Sequence, residues 1–115
     1  MAEFYTLEPF KDENGNELVF QFIDGLDSAK DRGSLYAAIE NLRLNGPLVL
    51  QTKAYKRFND HLYEIKKGDN RIIYLEDGKH YELLHGFPKQ GQKTLRKDKT
   101  IAEERHEEYW RRKKK

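Results

Sequence analysis

The sequence predicts a single α+β domain spanning residues 1–115, in the order β-α-α-β-β-β-α. Three observations predict it. In the first half, apolar residues recur at the 3, 4 and 7 spacing of amphipathic helices. In the second half the period changes, and runs rich in Tyr, Ile and Leu read as strands. Between those runs stand Gly68-Asp69-Asn70 and Asp77-Gly78, and the second is among the strongest short signals for a hairpin. A chain of 115 residues suits one domain and one core.

The elements follow in order. Glu3–Glu8 alternates polar and apolar residues and reads as a short strand. Residues 12–16, Asp-Glu-Asn-Gly-Asn, form a turn, with Asn16 as the expected N-cap of the first helix. Val19, Phe22, Ile23 and Leu26 give that helix its stripe. A second helix runs from about Ser28 to Asn45 on Leu35, Ala38, Ile39 and Leu42. Gly46-Pro47 ends it, since Gly suits a left-handed position and Pro cannot continue a helix. A tight junction near Asp27 predicts an antiparallel helical hairpin. Leu62–Lys66, Arg71–Glu76 and Lys79–Gly86 then form an antiparallel meander. Thr100 and Glu103 have the spacing of a capping box, opening a last helix with Ile101, Arg105 and Tyr109 on one face. Residues 111–115 form a basic tail, expected to fray. The helices are expected on one side of a small sheet.

Composition narrows the function. Hydrophobic and charged residues each make up 37% of the chain, but seven Tyr, six Phe and one Trp argue against disorder. There is no Cys, which excludes disulfides and thiolate metal sites. No apolar run approaches a membrane span and no leader pattern opens the chain, so a cytoplasmic protein is expected. Charge is segregated: residues 1–52 hold four Lys/Arg against nine Asp/Glu, and residues 53–99 hold twelve against seven. The surplus in the second half points to a polyanion partner there.

Pairing the meander through a two-residue Asp77-Gly78 turn sets Tyr74 opposite Tyr81 and Ile72 opposite Leu83. A four-residue loop at Lys67–Asn70 sets Lys66 beside Arg71 and Glu64 beside Ile73. One face then carries Tyr63, Ile65, Ile72, Tyr74, Tyr81 and Leu83 and packs on the helices. The other carries Glu64, Lys66, Arg71, Ile73, His80, Glu82 and Leu84. Like charges side by side in a sheet are unfavourable, so Lys66 and Arg71 suit a bound anion, Arg as a bidentate fork and Lys as a point charge. The competing reading is an ion-pair ladder with Glu64 and Glu82. Beyond the last strand, Phe87 can stack a base while Lys89 and Lys93 hold phosphates, or Phe87 can plug the core. His85 is expected on the helix-packing face, as a hydrogen-bonded structural residue. His61, His80 and His106 show no metal-ligand spacing, and no P-loop, nucleophile elbow or HExxH occurs.

The runs Leu62-Tyr63-Glu64-Ile65-Lys66, Asn70-Arg71-Ile72-Ile73-Tyr74 and Leu83-Leu84-His85-Gly86-Phe87-Pro88-Lys89, with Lys93-Thr94, resemble the phage Gp49-like/HigB branch of the RelE/ParE toxin superfamily. The resemblance spans about residues 60–110. It implies a RelE-like fold and the toxin of a type II toxin–antitoxin system, a ribosome-dependent mRNA endonuclease. It also implies a reaction without metal or cofactor, in which the ribose 2′-OH attacks the adjacent phosphate. The partners it implies are mRNA on the ribosome and a helix-turn-helix antitoxin, in a heterotetrameric complex. By the same resemblance Arg71 supports the phosphate, with Lys66 where the family often has Arg and Glu64 as candidate base. His85 is a candidate acid or base if its strand twists toward the groove, and Lys89, Lys93 and Phe87 bind RNA. The alternatives are a ParE-like gyrase poison without enzymatic activity and a phage-derived co-repressor.

Overall fold

The computed structural model describes residues 5–89 and 96–114. Its chain order is strand β1 (Thr6–Pro9), helix α1 (Leu18–Asp24), helix α2 (Ala29–Asn45), a 3₁₀ helix (Gly46–Gln51), strands β2 (Tyr55–Arg57), β3 (Leu62–Lys67), β4 (Asn70–Asp77) and β5 (His80–Pro88), and helix α3 (Arg96–Lys113). The α+β reading holds, with two additions the sequence did not suggest: the 3₁₀ helix and β2. The strands form one five-stranded sheet in the order β1-β5-β4-β3-β2, antiparallel except for the β1–β5 pair.

The helices start and stop for local reasons. Ser28 caps α2, its hydroxyl accepting from the Asp31 amide at 3.1 Å. The expected cap of α1 is corrected by one residue. Glu17 is the N-cap, because the Asn16 side chain is committed to Asp12 at 2.8 Å. Gly46 ends α2 at φ +55°, and Pro47 opens the 3₁₀ turn rather than a loop.

The face assigned to helix packing is the one that packs. Tyr63, Ile65, Ile72, Tyr74, Tyr81 and Leu83 meet Val19 and Ile23 of α1 and Leu35, Ala38, Ile39 and Leu42 of α2 in one buried cluster. The second face was expected to lie open, and it does not. Leu62, Ile73, Leu75, Leu84 and Phe87 form a separate cluster there with Phe10 and Ala102. Helix α3 covers it, so helices lie on both sides of the sheet. The physical reason is apolar area: four aliphatic side chains on that face must leave water.

α3 also begins earlier than the Thr100 capping box suggests, placing Asp98 in its first turn and Thr100 inside the helix. It continues through Lys113, so Arg111, Arg112 and Lys113 are helical rather than frayed, and Lys113 pairs with Asp77.

Candidate functional site

The β3–β4 register is as read from the sequence: Lys66 faces Arg71 and Glu64 faces Ile73. The hairpin turns on Gly68 at φ +57°, a glycine at the first central position as a type II′ turn requires. The β4–β5 hairpin follows the same rule, and this moves its register. Gly78 (φ +61°) and Lys79 are the central pair, so Asp77 faces His80 and Tyr74 faces Leu83 rather than Tyr81.

A second departure matters more. The ladder slips between Ile73 and Tyr74, so Tyr74 pairs with Leu83 but Ile73 pairs with His85. Leu84 is the extra residue of a β-bulge. Past it, every side chain of β5 lies on the face opposite to simple alternation. His85 is therefore not on the α1/α2 face, as expected, but on the α3 face. Gly86 takes the helix-facing position, where a Cβ would come within 2.6 Å of the Phe22 ring.

The bulge builds two cross-strand rows on the α3 face. One is Lys56-Glu64-Ile73-His85, and the other is Lys66-Arg71-Phe87. In the inner row, Glu64 is only 3% exposed and its carboxylate lies 3.9 Å from the Lys56 ammonium. His85 Nε2 is 2.8 Å from Asp98 Oδ1. Arg105 Nη1 donates to the Leu84 carbonyl at 2.8 Å and reaches His85 Nδ1 at 3.3 Å. With Arg105 donating to Nδ1, the ring proton sits on Nε2 and is donated to Asp98. Burial holds His85 below the ordinary histidine range; Asp98 opposes that and the Arg105 charge adds to it. Phe87 stacks on the His85 ring, centroids 5.1 Å apart, and is 5% exposed. Its expected role as a base-stacking platform is corrected: it fills the core and props His85.

The outer row is different. Lys66 and Arg71 are half-buried and reach the rim. Arg71 Nη1 donates to the carbonyls of Gly68 and Asn70 at 2.7 and 2.9 Å, which folds the guanidinium against its own turn. No carboxylate among the described residues lies within ion-pair distance of Lys66 or Arg71. The ion-pair ladder with Glu64 and Glu82 is not formed, because Glu64 pairs with Lys56 and Glu82 with His80. Lys89 joins this end of the sheet, its amide donating to the Asp69 carbonyl at 2.6 Å. Lys93 lies outside the described residues.

The site therefore has a floor of buried Glu64 and Asp98 with half-buried His85 and Arg105, and a basic rim of Lys66, Arg71 and Lys89. Asp98 and Arg105 were missed as site residues, since nothing in their spacing ties them to His85. Gly86 was the available signal for the bulge, because an isolated glycine inside a strand marks a bulge or a close backbone approach.

The family model described as phage derived protein Gp49-like (DUF891) matches residues 21–107, three quarters of the chain. The chain belongs to the Gp49-like family. That family lies in the RelE/HigB-like toxin group. The match takes in both layers of helix and strands β2 to β5, and so covers the floor and rim of the site. No curated protein matches the chain. Among the described residues, no helix is long and apolar enough to cross a membrane.

Proposed function

We propose that this Gp49-like protein is the toxin of a type II toxin–antitoxin pair and cleaves mRNA on the ribosome, with Lys66 and Arg71 binding the scissile phosphate. One observation carries the proposal. Two cations sit side by side at the rim with no acidic partner among the described residues, beside a third in Lys89. Adjacent like charges cost stability in a sheet, and an anion seated between them removes that cost. The reaction is attack of the ribose 2′-oxygen on the neighbouring phosphorus with departure of the 5′-oxygen. Charge grows on the phosphoryl oxygens as the new bond forms, and a pre-placed guanidinium and ammonium stabilise it.

In this reading Glu64 and His85 have a supporting part rather than acting as base or acid. Glu64 is buried, and both His85 ring nitrogens are already bonded within the protein. They fix the strand ends that carry the cations. A helix-turn-helix antitoxin is the partner this reading requires.

Induced expression should arrest growth, and primer extension should map breaks in translated messages. Arg71→Ala should relieve both while the protein stays folded and bound to its antitoxin. Growth arrest with intact messages, accompanied by inhibition of purified gyrase, would replace this reading with the gyrase-poison one.

A further inference from the structure

The opposite end of β5 carries a second cluster of functional groups. The parallel pairing of β1 with β5 sets Thr6 against His80 and Glu8 against Glu82, so four polar side chains stand in a two-by-two block on the α3 face. His80 Nε2 lies 2.8 Å from Glu82 Oε1, and His80 Nδ1 lies 2.7 Å from the Thr6 hydroxyl. One ligand atom from each of Glu8, His80 and Glu82 falls within 4.8 Å of the others. The Glu82 side chain is 11% exposed, and its second oxygen makes no hydrogen bond with a described residue.

We propose that Glu8, His80 and Glu82 bind a divalent transition-metal ion of the Zn²⁺ or Ni²⁺ type. One imidazole and two carboxylates suit such borderline ions. Three protein ligands leave coordination positions open to the adjoining cavity of about 460 Å³. The second shell is in place. A metal-bound histidine donates its other ring N–H, and Thr6 Oγ1 stands where it accepts from Nδ1, leaving Nε2 for the metal. Without metal the same hydroxyl donates to Nδ1, and Nε2–H bridges to Glu82. Binding therefore moves the imidazole proton from Nε2 to Nδ1, a change of tautomer with no net proton released.

The neighbouring charges allow it. Lys113 is paired with Asp77, and Arg112 is held by Glu108 and the Lys11 carbonyl. The Tyr109 ring lies parallel to the imidazole, centroids 6.0 Å apart, and walls the site on the α3 side. Because the ligands come from two strands, the ion would pin β1 to β5. It lies at the other end of β5 from Arg71, so it takes no part in the proposed cleavage.

The test is calorimetric titration of the EDTA-stripped full chain with Zn²⁺, Ni²⁺ and Co²⁺, followed also by the visible absorption of bound Co²⁺ and by thermal melting. One equivalent should bind and raise the melting temperature. His80→Asn and Glu82→Gln should each weaken binding by about a hundredfold, the upper range for losing even an outer-shell partner. Glu8→Gln changes an exposed side chain and so keeps the fold; it should weaken binding as well. Arg71→Ala and the double variant His61→Asn/His106→Asn should bind as the parent does. No saturable binding, or binding kept in His80→Asn and lost with His61 and His106, would overturn the site. Neither result bears on RNA cleavage.

Discussion

Gly86→Ala should destabilise the protein through one contact, and that contact exists only if the β5 bulge is real. Simple alternation from Leu83 would aim residue 86 at α3. The bulge aims it at α1, where an added Cβ would stand 2.6 Å from Phe22 Cδ2 and 3.1 and 3.2 Å from two further ring atoms. Comfortable carbon–carbon separation is about 3.5–4.0 Å, so the ring must retreat by roughly 1 Å. Phe22 is part of the packing around Val19 and Ile23, which resists that movement. Overpacking of this kind costs about 1–3 kcal/mol. For a domain of this size each kcal/mol lowers the melting temperature by about 4 °C, giving a fall of about 4–12 °C. Thermal unfolding followed by circular dichroism measures it. Phe22→Leu in the same chain should recover part of the loss, a coupling that a double-mutant cycle isolates. An unchanged melting temperature, or a loss that Phe22→Leu leaves untouched, would refute the bulge and return His85 to the α1/α2 face.

Other consequences follow from the same geometry. Asp98→Ala leaves the half-buried His85 Nε2–H without its acceptor and should cost about 1 kcal/mol in urea unfolding; a neutral result would detach His85 from α3. His85 is held below its unfolded range, so the unfolded chain takes up its proton first as pH falls. Stability from this residue is complete above about pH 6.5 and is lost as pH drops through the folded value. His106, also lowered by burial, acts in the same direction. The urea midpoint should therefore drop between about pH 7.5 and about pH 5.5. His85→Asn should flatten that slope, and an unaltered slope would remove His85 from the account.

What the sequence disclosed depended on how local the cause was. The β3–β4 register was legible, because the glycine turn and the alternation agree on it. The inner-facing aromatic and aliphatic set was legible for the same reason. The β4–β5 hairpin was placed correctly but paired two residues out. Asp77 looks like a turn residue, yet it closes the ladder, and Tyr109 and Lys113 draw its carboxylate toward α3. The role of α3 was hidden by its composition. It docks through Ala102, Tyr109 and Trp110 and through polar bonds from Arg105 and Tyr109, a face without the run of aliphatic residues that marks α2. Of the candidate site, Lys66 and Arg71 were readable from two-residue periodicity. Asp98 and Arg105 were not, since only tertiary folding brings them to His85. The block formed by Thr6, Glu8, His80 and Glu82 joins strands more than seventy residues apart, a proximity that no spacing rule encodes.

The proposal that the rim cations hold the scissile phosphate is tested most directly by single-turnover RNA cleavage on translating ribosomes. Parent, Arg71→Lys and Arg71→Ala chains would be compared after circular dichroism has shown equal folding. Loss of a pre-placed donor to developing charge lowers such rates by about 10²–10³-fold, so Arg71→Ala should fall by that much. Arg71→Lys, which keeps the charge but not the fork, should lie between. Cleavage by Arg71→Ala at the parent rate would contradict the proposal.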